Sequence, residues 1–225
     1  TVFIRFLYVP FINMIDQWQL IIVFLSIGSM LLGSIAAIGQ KNLKRLIAYS
    51  SISHMGYVLA GLAAGSNEGI QSSIIYMVIY LLMNLAFFSC VFMMRKNDKY
   101  FENLDDLSGM SKSHPILSFA FMLILFSLAG IPPLAGFFAK FYIFKAVIEQ
   151  SMYFLAIVGL LSTVIAAFYY LRIIKIIYFD PEKEKYDTNH HLGLKVSLFV
   201  STIFILFYFI YPSVLNEIVT KINII

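Results

Sequence analysis

Apolar runs long enough to cross a membrane alternate with short polar connections along most of the chain. The long runs cover residues 20–39, 46–64, 71–94, 116–148, 153–178 and 194–211, and a shorter one covers residues 1–11. A membrane-crossing α-helix takes roughly 20 apolar residues. The pattern therefore predicts an all-α fold, a polytopic transmembrane helical bundle of about six spans. No linker divides the chain, so residues 1–225 are expected to form a single transmembrane domain.

One span is interrupted, so the bundle is expected to contain one broken helix. The interruption contains Gly130, Pro132, Pro133 and Gly136. The two prolines remove backbone N–H donors, so the carbonyls near Leu128 and Ala129 lose their helical partners. Within a bilayer such carbonyls persist only when they are buried in protein or face a polar cavity. The break is therefore predicted to lie against the protein interior.

Lys140 lies four residues after Gly136, about one turn into the second half of the broken helix. The positive end of that helix and desolvation both disfavour a charged ammonium, which suggests a lysine that accepts and releases protons. The alternative is a lysine that extends to the membrane interface without further function. Apolar sequence on both sides of Lys140, at 116–128 and 141–148, argues for a position deep in the membrane.

His54 is a second candidate for proton transfer. It shares its span with Ser50, Ser51 and Ser53, an unusual polar content for a helix that faces lipid, so these groups are expected to face the protein interior. Histidine titrates near neutral pH, which suits a proton relay or a hydrated channel. A histidine that simply hydrogen-bonds to a neighbouring helix is an equal alternative.

Lys44 is the third candidate, at the start of the 46–64 span. Its simplest interpretation is a topology anchor, and the alternative is a proton acceptor at the mouth of a channel. Residues 95–115 form the longest polar connection, with apolar residues at three-residue spacing at Phe101, Leu104, Leu107 and Met110. That spacing predicts a short interfacial helix.

Composition and charge exclude two classes of protein and predict the membrane topology. The chain is 60% hydrophobic and 12% charged, with a mean hydropathy of +0.86, which excludes a soluble globular domain. The net charge of +4 comes from basic residues in alternate loops, so it indicates topology rather than a nucleic-acid partner. The basic loops 40–45, 95–112 and 179–191 are predicted to lie in the cytoplasm or mitochondrial matrix.

The sequence contains few groups that support covalent or redox chemistry. It has no glycine-rich dinucleotide motif, no phosphate loop and no metalloprotease motif. A single cysteine, Cys90, excludes an intrachain disulfide and a multi-cysteine metal cluster. Neither a cofactor-binding nor a metal-binding residue is expected, and proton-capable groups within the membrane remain as the candidate chemistry.

Two segments resemble the antiporter-like subunits of respiratory complex I. They are QKNLKRLIAYSSISHMGY at residues 40–57 and LAGIPPLAGFFAKFY at residues 128–142, and residues 104–115 also fit that family's connecting loop. The similarity spans nearly the whole chain and is greatest to the N-type branch. Lys140 matches the lysine in the broken helix of that branch, where a related member has a glutamate. Asn84 at the centre of the third span also favours the N-type branch.

The resemblance implies a fold of two inverted repeats with a central polar axis, of which this chain would hold the second repeat and the final helix. It implies a membrane-arm subunit that contributes to proton translocation coupled to NADH:ubiquinone electron transfer, in the mitochondrial inner membrane or a bacterial plasma membrane. Flavin, iron–sulfur clusters and ubiquinone are expected on partner subunits. Expected partners are lipids and other membrane subunits of complex I, including the missing N-terminal half and neighbouring antiporter-like subunits.

Two alternatives remain open at this stage. One is a subunit of a multisubunit sodium/proton antiporter, a class that shares both motifs. The other is a structural membrane scaffold with no ion path, which is expected to tolerate neutral replacement of Lys140 without loss of proton transport.

Overall fold

The computed structural model describes residues 2–96, 99–183, 186 and 191–220. Within them, helices α1 to α10 run Val2–Tyr8, Ile15–Ile38, Leu43–Ala63, Asn67–Met93, Met110–Ser113, Pro115–Ala129, Ala135–Glu149, Tyr153–Phe179, Leu192–Phe207 and Pro212–Thr220. Short 3₁₀ segments cover Ile12–Met14 and Leu104–Leu107, and strands β1 (Arg95–Lys96) and β2 (Lys99–Tyr100) form an antiparallel hairpin. Apart from this small hairpin the described fold is helical, as predicted.

Four of these segments are long and apolar enough to cross a membrane, namely Ile12–Ile38, α3, α4 and α8. The broken span consists of α6 and α7, with 15 residues each, and α9 is a further apolar helix of 16 residues. At 1.5 Å per residue, α6 and α7 are each about 22 Å long, so neither alone crosses a hydrocarbon layer of about 30 Å. The prediction of a transmembrane bundle with one broken helix is confirmed.

Helix starts are set by local capping. The Asn42 side chain accepts a hydrogen bond from the Arg45 N–H at the start of α3, and Ser66 accepts one from the Gly69 N–H at the start of α4. Such side chains satisfy donors that have no partner within the helix. Both helices therefore begin three to four residues before the apolar runs that predicted them.

Hydrogen bonds hold the long helices together in addition to apolar packing. At the α2–α3 contact, Ser26 Oγ donates to the Gly56 carbonyl over 2.7 Å and Gln19 Nε2 donates to the Ala63 carbonyl over 2.8 Å. Arg172 of α8 donates to the Ile38 carbonyl at the end of α2, over 3.1 Å. These bonds satisfy backbone carbonyls where neighbouring helices meet.

The prediction of one interfacial helix in residues 95–115 is wrong. The segment forms the β1–β2 hairpin, the 3₁₀ turn and the one-turn helix α5. Leu104, Leu107 and Met110 are fully buried beneath the bundle instead of lying along an interface. Their three-residue spacing suits the 3₁₀ turn, which has three residues per turn.

Backbone hydrogen bonds attach this connection to the helices. The Leu43 N–H donates to the Glu102 carbonyl over 2.6 Å, and the Gly109 N–H donates to the Ile176 carbonyl over 3.1 Å. Of the predicted basic loop 179–191, residues 184–185 and 187–190 lie outside the described part of the chain.

Candidate functional site

The break between α6 and α7 is held closed by hydrogen bonds across it. Gly130 has a φ of 88°, the left-handed conformation that ends many helices, and its N–H donates to the Phe126 and Ser127 carbonyls. The Gly136 N–H donates to Ser127 Oγ over 3.0 Å. A side chain at Gly136 would overlap the Ser127 carbonyl, so only glycine permits this close approach. The Pro132–Pro133 peptide bond is cis.

Lys140 lies inside the break, with 4% of its surface exposed. Its Nζ donates to the Leu128 carbonyl over 3.2 Å and to the Ala129 carbonyl over 3.0 Å. The same atom lies 5.2 Å from the centre of the Tyr57 ring. The sequence predicted that the carbonyls released by the prolines need a polar partner, and that partner is Lys140.

The electrostatic environment of Lys140 includes a contribution that the sequence did not predict. The sequence predicted an ammonium near the positive end of α7. In the structure the side chain points back across the break and ends at the last carbonyls of α6, the negative end of that helix. Helical side chains point toward the N-terminus of their own helix, and at Lys140 this direction leads to α6. The adjacent face of Tyr57 also attracts a cation.

A chain of hydroxyl groups continues from Tyr57. Thr163 Oγ1 and Ser162 Oγ each lie 3.1 Å from the Tyr57 hydroxyl oxygen, and Ser162 Oγ is also 3.1 Å from the Met30 carbonyl oxygen. A carbonyl only accepts, so Ser162 donates to Met30 and the Tyr57 hydroxyl donates to Ser162. Ser53 lies 3.3 Å from Ser162 and joins the same cluster.

His54 lies in a second cluster, built mainly from tyrosines. Its Nδ1 is 2.7 Å from the Tyr76 hydroxyl and its Nε2 is 3.2 Å from the Tyr170 hydroxyl, which in turn contacts Ser50 Oγ. The imidazole stacks on the Tyr80 ring at 4.6 Å. A neutral imidazole has one donor and one acceptor, so one of its two hydroxyl partners donates and the other accepts.

The two clusters adjoin at α3. His54 and Tyr57 are nearly one turn apart on that helix, with ring centres 6.0 Å apart, and Tyr76 is 6.1 Å from Tyr57. The structure thus brings Lys140 and His54 into one buried polar region. The expected inward position holds for Ser50, Ser53 and His54, which are fully buried.

Ser51 is the exception among the polar residues of this span. It is only half-buried and donates to the Ala48 carbonyl of its own helix. A hydroxyl that bonds to its own helix needs no partner in the interior.

Lys44 lies apart from this region. Its side chain is 41% exposed, and its Nζ is 2.5 Å from the Glu102 carboxylate. Ten residues separate it from His54, which corresponds to about 15 Å along α3. The hydrogen bonds from Lys44 and Asn42 hold the pKa of Glu102 below its ordinary value of 4.5. A role for Lys44 in proton uptake remains a prediction.

Sequence reasoning missed the tyrosines and the hydroxyl pair of α8. Tyr57 lies three residues after His54 and therefore on the same helix face, which was a usable signal. Ser162 and Thr163 are adjacent hydroxyls inside an otherwise apolar stretch, and this also marks an inward face. Lys145 and Glu149 form an i, i+4 ion pair at 3.7 Å on the exposed face of α7.

Comparison with solved structures places the fold among respiratory and antiporter membrane subunits. The chain is similar to a chain of respiratory complex I from Thermus thermophilus with bound Aureothin, with a TM-score of 0.75 and 28% identity, covering 87% of this chain and 44% of that one. A chain of the Mrp complex from a Dietzia species has the same fold, with a TM-score of 0.79 and 20% identity, covering 90% of this chain and 46% of that one.

Sequence comparison gives the closer relationship. The chain is 77% identical over all of its length to NADH-quinone oxidoreductase subunit N of Pelagibacter ubique, of which it covers 48%, and this confirms the resemblance to the N-type branch. It spans about half the length of the curated relatives that it matches. Residues 1–166 match the family model described as NADH:quinone oxidoreductase/Mrp antiporter, transmembrane. The chain therefore belongs to the NADH:quinone oxidoreductase/Mrp antiporter family of membrane proteins.

Proposed function

We propose that this chain forms part of an N-type, proton-translocating membrane subunit of an NADH:quinone oxidoreductase, and that Lys140 is the group that exchanges protons. The observation that carries the proposal is the cage around Lys140. A buried amine bonds to two carbonyls of a broken helix and lies over the ring of Tyr57, whose hydroxyl belongs to a buried cluster of hydroxyl groups. An ionisable side chain within a membrane generally marks an ion or proton pathway.

The cage suits both protonation states of the lysine. An ammonium has three N–H donors, and the Leu128 and Ala129 carbonyls use two of them. A neutral amine keeps two N–H donors, enough for the same two carbonyls. Exchange of the third proton therefore leaves no backbone carbonyl without a partner, and the break need not rearrange at each transfer.

The hydroxyl and tyrosine clusters supply groups through which a proton can move toward or away from Lys140. Ser162 and Thr163 each lie within hydrogen-bond distance of the Tyr57 hydroxyl, and His54 connects Tyr76 with Tyr170. In this proposal His54 acts as a relay between the lysine and the tyrosine cluster. Lys44 lies at the start of α3, on the side of the bundle where the basic loops lie, and in this proposal it takes up protons.

The proposal assigns the redox steps to partner subunits, which would hold flavin, iron–sulfur clusters and the quinone. Residues 1–225 would form one transmembrane domain and pack against the first inverted repeat and neighbouring antiporter-like subunits. Bacterial relatives support the plasma membrane as its location, which was the second of the two locations that the sequence allowed. The 77% identity to an N-type subunit supports this function over that of a sodium/proton antiporter subunit.

Replacement of Lys140 by Met tests the proposal in the assembled complex. The measurement is the proton gradient formed per NADH oxidised in sealed vesicles with equal complex content. Lys145→Met is the matched control, because Lys145 lies on the same helix but on its exposed face. We expect the gradient to fall in Lys140→Met and to stay normal in Lys145→Met. Normal coupling in Lys140→Met would contradict the proposal and favour a structural scaffold.

A further inference from the structure

A groove of about 520 Å³ lies between the first turns of α6 and α9, next to the last turn of α4. Both helices start from basic-side connections, so the mouth of the groove is at the end of the bundle that carries the basic loops. Its size is within the usual range of about 300–1,000 Å³ for small-ligand sites. None of the residues of the buried polar region around Lys140 and His54 lines it.

The groove is polar and basic at its mouth and apolar farther in. Ser113, His114 and Lys195 line the mouth. Leu117, Ala120, Leu198 and Phe199 line the walls below. Among the described residues that line it none is acidic, so its charge is positive at one end and absent along the rest.

His114 lines this mouth, and one of its two ring nitrogens has a partner in the protein. Its Nε2 accepts a hydrogen bond from the Tyr186 backbone N–H over 3.1 Å. A ring nitrogen that accepts carries no proton, so the proton of the imidazole is on Nδ1. His114 and Lys195 thus both line the mouth, and an imidazole N–H and an ammonium are donors suited to a phosphate oxygen.

The groove opens toward the hydrocarbon and not toward water. Ile116 on one wall is 86% exposed, and Phe199 on the other is 66% exposed. Large apolar side chains with this exposure in a membrane bundle face acyl chains or a neighbouring subunit, and the basic mouth favours an occupant that carries an anionic group. An occupant must therefore be amphiphilic, with an anionic group at the basic-side interface and an apolar tail directed into the membrane.

We propose that this groove binds an anionic phospholipid, with its phosphate at Lys195 and His114 and one acyl chain between α6 and α9. Charge complementarity at the mouth selects the headgroup, since basic pockets between transmembrane helices bind anionic lipids. The site does not depend on proton transfer by Lys140. A bound lipid would fill the space between α9 and the first half of the broken helix and so support α6.

The test measures the lipids that remain bound to the assembled complex after purification in mild detergent, by native mass spectrometry. Lys195→Glu reverses the charge at the mouth, and Ala120→Phe fills the groove between its walls. Lys183→Glu is the matched control, because Lys183 is an exposed lysine outside the groove. Lys195→Gln replaces Lys195→Glu if the charge reversal prevents assembly.

We expect retention of anionic phospholipid to fall at least tenfold in Lys195→Glu and in Ala120→Phe, with no change in Lys183→Glu. Equal retention in Lys195→Glu and the unaltered complex would overturn the proposal. Equal retention of zwitterionic and anionic lipid in the unaltered complex would also overturn it, because the mouth would then select no charge. Crosslinking of a photoreactive residue at position 120 to a protein subunit, and not to lipid, would identify a protein as the occupant.

Discussion

The ammonium of Lys140 lies 5.2 Å from the centre of the Tyr57 ring, while the hydroxyl of the same tyrosine donates to Ser162. Tyr57 therefore has two separate functions in the site. Its ring faces the cation, and its hydroxyl links Thr163 with Ser162 through hydrogen bonds. Two substitutions separate these functions.

Tyr57→Phe keeps the ring and removes the hydroxyl, whereas Tyr57→Leu removes both. A cation–π contact contributes about 0.5–2 kcal/mol, and a buried hydrogen bond contributes about 1 kcal/mol. We expect Tyr57→Phe to assemble and to lower proton transport per NADH oxidised, and Tyr57→Leu to lower it further. Vesicle pumping assays on complexes of equal content measure both variants. Full pumping in Tyr57→Phe would exclude the hydroxyl from the proton pathway.

Lys140→Arg separates the structural and the proton-exchanging parts of the lysine's role. A guanidinium supplies N–H donors for the Leu128 and Ala129 carbonyls, but it does not lose its proton in proteins. We expect the complex to assemble with normal thermal stability and to lose proton transport. Differential scanning fluorimetry and the vesicle assay measure the two properties. Normal pumping in Lys140→Arg would show that Lys140 does not exchange protons.

Ser127 and Gly136 hold the two halves of the broken helix together. Ser127→Ala leaves the buried Gly136 N–H without its acceptor, which costs about 1–3 kcal/mol. Gly136→Ala forces a methyl group against the Ser127 carbonyl, and overpacking of this kind also costs about 1–3 kcal/mol. Both variants should lower the unfolding temperature of the complex. Ser118→Ala is the control, because the buried Ser118 hydroxyl has no hydrogen-bond partner within the described residues, and it should leave stability unchanged.

The break and its lysine could be predicted from sequence because both depend on local chemistry. Proline removes donors wherever it occurs in a helix, and a lone lysine in an apolar run is visible without a structure. The hydrogen bonds of Lys140 to the α6 carbonyls could not be predicted, because they depend on how α6 and α7 meet. The Tyr57–Ser162 bond joins residues 105 positions apart, and no spacing rule reaches that far.

The prediction of an interfacial helix in residues 95–115 was wrong for a different reason. Three-residue spacing fits a 3₁₀ turn as well as one face of an amphipathic helix. The burial of Leu104 and Leu107 depends on α3 and α8, which bond to this segment through Leu43 and Ile176, and on Lys41, which precedes α3. The apolar pattern identified residues that pack on one side, but it indicated neither their burial in the bundle nor the backbone conformation that buries them.

The Lys44–Glu102 pair gives a pH dependence that can be measured outside the membrane. The hydrogen bonds from Lys44 and Asn42 lower the pKa of Glu102 below 4.5, so its stabilising contribution is present above that pH and is lost as the pH falls through the lower, folded value. Glu102→Gln removes this contribution at every pH. We expect hydrogen exchange at the Leu43 amide, next to Glu102, to be faster in Glu102→Gln than in the unaltered complex at pH 7. The difference should shrink as the pH falls below 4.5 and vanish once the pH lies below the folded pKa of Glu102. A difference that persists unchanged at low pH would mean that the carboxylate charge is not what holds this connection against α3.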